Sequence, residues 1–272
     1  MDTIYLKLAG FILKITFSPT YSPTVKKKLI RSISRYLKGY IVTTDILKID
    51  FTINFIEIIN INLLINKTKT YEEKYMSFYK SSYNIITTYY YISFTQILIL
   101  FKEVLHYLLN KNIGFQLHCS SIIINNKAIL FVGKHTAGKS TIIKLLRGRF
   151  TPFADDNIAI KKTTGGFFAY QTFDYEKNNI PTSVNGYPVS TVYFIHKSQK
   201  TYKKNILNKN IIIKLLLKEC WISDNTVKDI QYKTIFSFID SSIAFRYLYF
   251  QKKHNELLTF MKQTHDETPE LA

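Results

Sequence analysis

The chain is poor in the residues that staple or punctuate a fold: among its 272 residues are two cysteines, six prolines and nine glycines. Cys119 and Cys220 are too few and too far apart for a disulfide framework or a zinc site, so a reduced, buried pair is expected. There is no Pro-rich or Gly/Ser-rich linker, no internal repeat and no low-complexity block. Any domain boundary must therefore be read from changes of pattern. Acidic residues are scarce as well, 19 against 37 Lys and Arg, which leaves a net charge of +18. The lysines are spread among Ile, Asn and Tyr, and only Lys26-Lys27-Lys28 forms a run. That distribution predicts a solvated basic surface, open to an acidic partner, and disfavours a nucleic-acid-binding stripe. A long hydrophobic run is missing too. The longest apolar stretch, Tyr89 to Phe101, is broken by Ser93, Thr95 and Gln96 and falls short of the roughly 20 residues a bilayer span requires. No membrane span is expected, and Met1-Asp2-Thr3 does not open a secretory signal, so the reading is a cytoplasmic protein.

What is present suits a packed fold. Hydrophobic residues make up 46% of the chain and aromatic residues 15%, values of a globular protein. Two alternating runs, Ile4 to Leu8 and Phe11 to Ile15, flank Ala9-Gly10 and predict a hairpin. Val25 to Leu37 reads as a helix, and Ile49 to Phe55 alternates again. The first 85 residues are thus expected to form a small α+β domain, the natural place for acceptor recognition. From Ser93 to Asn112 the period changes, with Ile97, Leu100, Phe101, Val104, Leu105 and Leu108 on one helical face. This helix opens a second domain, residues 86–262, of mixed strands and helices. Its later helices are predicted near Lys209–Trp221 and Gln251–Lys262, followed by a polar tail, residues 263–272.

The chemistry is concentrated in one segment. Ala128 to Val132 is a continuous apolar strand that runs into Gly133-Lys134-His135-Thr136-Ala137-Gly138-Lys139-Ser140, which fits G-x-x-x-x-G-K-[ST]. Thr141 to Arg147 then has helical spacing, with Gly148 placed to cap it. A glycine at each end lets such a loop turn its N–H groups inward on phosphate oxygens at a helix N-terminus. On this reading Gly133 to Thr141 hold the phosphates of ATP, Lys139 reaches the β- and γ-phosphates, and the Ser140 hydroxyl joins the shell of Mg²⁺. Past the next expected strand comes Asp155-Asp156. One of this pair could hold Mg²⁺ while the other accepts the proton of an incoming hydroxyl. Upstream, Leu117 to Ile124 and Lys127 to Val132 flank an Asn125-Asn126 turn. Pairing Ile124 with Lys127 and stepping outward sets His118 opposite Gly133, beside the loop. The remaining histidines, His106, His135, His196, His254 and His265, show no metal-ligand spacing, and of these only His135 is expected to touch nucleotide.

Leu117-His118-Cys119-Ser120-Ser121, the G-K-H-T-A-G-K-S-T loop and Ala154-Asp155-Asp156 together resemble the kinase domain of HPr kinase/phosphorylase. They look still more like the HPr-kinase-related proteins of modified-peptide gene clusters, including lasso-peptide kinases. Leu8-Ala9-Gly10-Phe11 and Tyr187 to Phe194 are similar to further segments of that group. The resemblance implies a mixed-sheet P-loop kinase core like the C-terminal domain of PEP carboxykinase, an α/β (α+β) fold preceded by the small N-terminal domain. It also implies His118 as the essential histidine, Lys139 as the phosphate-binding lysine, Ser140 and Asp155 on Mg²⁺, and Asp156 as general base. The implied acceptor is a Ser or Thr hydroxyl of a peptide or protein, and homo-oligomers occur in the family. Two departures stand out. Pro152 is expected to interrupt the strand before the acidic pair, and no segment matches the family's Arg-rich stretch, so the resemblance carries the forward transfer and not the reverse, phosphorylase reaction. A non-catalytic ATP-binding regulatory module and a kinase of a small hydroxylated metabolite are the alternative readings.

Overall fold

A computed structural model describes residues 3–43, 48–57, 78–111, 113–173, 180–222 and 228–265. The chain divides into two compact units, Met1–Leu108 and Leu109–Ala272.

In the first unit, β1 (Thr3–Leu8) and β2 (Phe11–Phe17) form the expected hairpin, with Leu8 opposite Phe11. Ala9 and Gly10 turn the chain with φ of 50° and 76°, the positive values that a two-residue turn requires. Helix α1 (Pro23–Tyr36) opens on a proline and buries Leu29 and Ile33. Proline suits a first helical position, where its missing N–H has no intrahelical partner. Lys27 and Lys28 of the basic run are exposed on this helix, and Lys26 reaches the carbonyls of Phe17 and Ser18. A 3₁₀ turn at Lys38–Tyr40 precedes β3 (Phe51–Ile56), in which Phe51, Ile53 and Phe55 are buried in strict alternation. Two strands were not expected, β4 (Tyr79–Ser82) and β5 (Ile85–Tyr89), and they complete a sheet of order β1-β2-β3-β5-β4. Residues Tyr89 to Phe101 are therefore divided between the end of β5 and helix α2 (Phe94–Lys111). Ile97, Leu100, Phe101, Val104, Leu105 and Leu108 of that helix are all buried, as their spacing predicts. Among the described residues no helix is long and apolar enough to cross a membrane.

The second unit is built on one large mixed sheet. Its strands are β6 (Gly114–Leu117), β7 (Cys119–Ile124), β8 (Lys127–Val132), β9 (Thr151–Ala154), β10 (Ile158–Thr163), β11 (Gly166–Gln171), β12 (Tyr187–Lys197), β13 (Tyr202–Asn205), β14 (Cys220–Trp221) and β15 (Ala244–Phe250). They follow the order β14-β6-β10-β11-β12-β8-β7-β9, with β15 joining β12 and β13 joining β15. The long β12 runs parallel to both β8 and β15, and these three strands form the centre. Helices α3 (Lys139–Leu146) and α6 (His254–His265) cover one face, and α4 (Lys209–Leu217) and α5 (Lys228–Ile239) the other. On β8 the residues Ala128, Leu130 and Val132 belong to the α4/α5 core, while Ile129 and Phe131 belong to the α3/α6 core. A strand covered on both faces needs an unbroken apolar sequence, which is why this segment does not alternate.

Three local expectations change. Pro152 does not interrupt its strand but lies inside β9, at the edge of the sheet and next to a shift of register against β7. An edge strand can hold a proline because it has no neighbour on its outer side to bond. The helix expected near Lys209–Trp221 stops at Leu217, and the chain continues into the two-residue strand β14. Helix α6 continues to His265, and residues 266–272, read above as part of a polar tail, lie outside the described residues.

Candidate functional site

The site starts from the register of β7 on β8. Asn125 and Asn126 take φ of 49° and 57°, Ile124 pairs with Lys127, and the ladder runs out to Cys119 opposite Val132. One further step sets His118 against Gly133, where both strands end. The loop that follows β8 turns sharply. Ala137 N–H bonds back to the Lys134 carbonyl at 3.0 Å, Thr136 has φ 70° and Gly138 has φ 113°. A Cβ on Gly138 would come within 2.7 Å of the Phe250 ring, and one on Gly133 within 3.0 Å of Ile195. The two glycines thus stand where β15 and β12 crowd the loop, and Gly138 also needs its positive φ. Lys139 and Ser140 are the first residues of α3. Lys139 is buried, 8% exposed, and its Nζ donates to the carbonyls of Gly133 and Lys134, folding the side chain back across the loop.

Asp155 and Asp156 form the bend between β9 and β10. They differ in environment. Asp155 is 1% exposed, whereas 40% of the Asp156 side chain is open. Asp156 Oδ1 lies 3.5 Å from His118 Nε2.

The other nitrogen of that ring has a partner that sequence reasoning missed. Glu219 Oε2 lies 3.1 Å from His118 Nδ1, and His118 N–H donates to the Glu219 carbonyl at 2.8 Å. The cause is again register: Leu117 pairs with Cys220 across β6 and β14, so the next residue outward on β6 meets the one before β14. With a carboxylate at each nitrogen, the imidazole is tied into a line Glu219, His118, Asp156.

These groups share one cleft of about 250 Å³, lined by His118, Lys134, His135, Thr136, Gly138, Lys139, Ser140, Thr141, Asp155, Asp156, Lys197 and Lys252. Every residue singled out from the sequence is on that lining except Gly133 and Ala137, which shape the loop behind it. Lys197 and Lys252 were not foreseen. Lys197 is the last residue of β12 and Lys252 lies just past β15, places where isolated lysines in a lysine-rich chain carry no signal. Neither cysteine is in a disulfide; Cys119 is buried and Cys220 half-buried. Burial and the neighbouring Glu219 carboxylate push the Cys220 thiol up to about 12.

The donor set can be tested against Mg²⁺. Among the described residues no group of three or more His, Cys, Asp or Glu could hold a metal. A hydroxyl and one or two carboxylates are nevertheless what this hard cation takes from a protein when phosphates and water supply its remaining ligands. Ser140, Asp155 and Asp156 all line the cleft and match that requirement.

No family model matches the chain, and no curated protein matches it. Among solved structures it is similar to the Hpr(Ser) kinase/phosphatase from Coxiella burnetii, at 14% identity and a TM-score of 0.31, over 56% of this chain and 94% of that one. This is a distant structural relationship.

Proposed function

We propose that the chain binds ATP with Mg²⁺ and transfers the γ-phosphate to a Ser or Thr hydroxyl of a peptide or protein. One observation carries this reading: a glycine-lysine-serine loop at the start of α3 shares a cleft with a half-open aspartate whose imidazole neighbour is anchored on a second carboxylate.

Each residue then has a task. The loop from Gly133 to Thr141 wraps the phosphates with its N–H groups at the N-terminus of α3, where the helix dipole favours negative charge. Lys139, already folded over the loop, neutralises charge that spreads over the phosphoryl oxygens during transfer. Ser140 and the buried Asp155 would hold the metal, which would offset the charge of the phosphates. Asp156 is the carboxylate an incoming hydroxyl can reach, and it takes that proton as the new O–P bond forms and the bond from the γ-phosphorus to the β-phosphate oxygen breaks, releasing ADP. His118 keeps Asp156 turned toward the acceptor, and Glu219 holds His118 in the ring orientation that allows this. Glu219 is therefore a positioning residue, acting through the imidazole.

The reading is tested with purified protein, Mg²⁺ and γ-labelled ATP, alone and with Ser- or Thr-bearing peptides, with Lys139→Ala as control. Label on a peptide only when the lysine is intact is the expected result. Nucleotide binding with no transfer to any hydroxyl acceptor would replace the kinase with a regulatory ATP-binding module.

A further inference from the structure

The cleft is open on one side, and its enclosed part, about 250 Å³, is near the low end of the roughly 300–1,000 Å³ that enclose drug-sized ligands; it suits the phosphates of a nucleotide, with the nucleoside extending out of it. The direction of exit follows from the sheet. His118, Asp155 and Asp156 sit at the ends of the neighbouring strands β7 and β9, which marks that side as the transferring end. On the other side of the loop lie β12, β15 and β13, and Lys197 and Lys252 line the cleft there.

Three rings stand in a row on those strands. His196 pairs with Tyr249 between β12 and β15, and Tyr249 with Tyr202 between β15 and β13. The His196 and Tyr249 ring centroids are 5.2 Å apart at 22°, and those of Tyr249 and Tyr202 are 4.5 Å apart at 9°. Tyr247 leans on His196 from the side, at 5.4 Å. Cross-strand aromatic pairs commonly just strengthen a sheet, but this row has two further properties. His196 and Tyr202 at its ends are exposed, and the row leads to the phosphate loop. Phe194 pairs with Val132, the last residue of β8, and His196 follows two residues further along β12, beside the start of the loop. The Lys134 ammonium is near enough to add to burial in holding the His196 ring below the ordinary imidazole range, so it stacks as a neutral aromatic at pH 7.

We infer that the base of the bound nucleotide stacks on His196, at the loop end of the His196–Tyr249–Tyr202 row, with Lys197 and Lys252 on the phosphates between base and γ-position. The inference rests on the ATP reading above and gives the nucleoside its place. Stacking recruits any base through its π-face, so the row supplies affinity for a nucleotide over a bare polyphosphate.

The experiment compares the binding of ATP and of inorganic tripolyphosphate, each with Mg²⁺, by titration calorimetry on the whole protein and on His196→Ala and His196→Phe. The intact protein is expected to hold ATP more tightly than tripolyphosphate. His196→Ala should weaken ATP roughly tenfold, within the range for loss of one stacked base, and leave tripolyphosphate unchanged, while His196→Phe keeps ATP binding. Equal affinity of the intact protein for the two ligands, or an equal loss of both in His196→Ala, overturns the base site and leaves the phosphate loop standing. Binding of neither ligand by the intact protein overturns both readings.

Discussion

The two sides of the cleft are made in opposite ways. The loop side is one continuous segment, Gly133 to Thr141, placed by the strand before it and the helix after it. The acidic side is assembled from three segments, and His118 and Glu219, in direct contact, lie 101 residues apart in the chain. A binding surface for a repeating anion can be made from consecutive backbone N–H groups. A proton acceptor has to be aimed, and aiming takes side chains on separate strands whose relative position the sheet enforces. The division of labour that follows is specific: the loop side should govern nucleotide affinity and the charge of transfer, the acidic side the proton.

The sharpest test is to remove one residue from each side. Lys139→Ala should abolish transfer, a loss on the order of a thousandfold or more for a group that meets charge developing during reaction, and should weaken ATP as well, since the lysine also neutralises the bound phosphates. Asp156→Asn should lower kcat by roughly 10²- to 10⁴-fold, the usual contribution of a general base, with the Kd for ATP unchanged. Calorimetry beside a transfer assay separates the two patterns. An Asp156→Asn protein with full activity would remove the base from the acidic side, and the comparison would collapse.

Glu219 refines the contrast from within the acidic side. Glu219→Gln keeps the size of the side chain and removes its charge, and it should lower kcat on the order of 10- to 100-fold, as for partners that orient a functional side chain, again with the Kd for ATP unchanged. A purely structural glutamate would instead lower the melting temperature and leave the kcat of the folded fraction alone. Measuring kcat, Kd and Tm on the same preparation decides between the two.

The same division explains what was legible in the sequence. The loop, its flanking strand and helix and the acidic bend are each local, and residue order alone places them. His118 needed one long-range inference, the β7–β8 register, and this could be made because the Asn125-Asn126 turn pins it. Glu219 offered no such handle. Its strand has two residues, Cys220–Trp221, too short to show any period, and it follows the apolar run of α4 so closely that the helix is read straight through it. Lys197, Lys252 and the His196 row were hidden for another reason: they are ordinary residues at strand ends, and only the parallel pairing of β12 with β8 and β15 brings them beside the loop. In the first unit the hairpin and β3 announce themselves by alternation, whereas β4, with no buried residue in its four, does not.

The smallest effect uses a reporter built into the acidic side. Cys220 follows Glu219 directly, and its thiol is pushed up to about 12 first by burial and second by the Glu219 carboxylate. Thiolate is the form that reacts with alkylating agents, so at pH 8 the native protein should be labelled by iodoacetamide at Cys220 far more slowly than a free thiol, as followed by mass spectrometry of the Cys220 peptide. Glu219→Gln removes the smaller of the two causes and leaves the larger. Its Cys220 should therefore be labelled a few-fold faster than in the native protein and still much more slowly than after unfolding in urea. Labelling of native Cys220 at the rate of an exposed thiol would mean that β14 does not hold Glu219 against His118, and with it the acidic side would lose its anchor while the loop side kept every contact described.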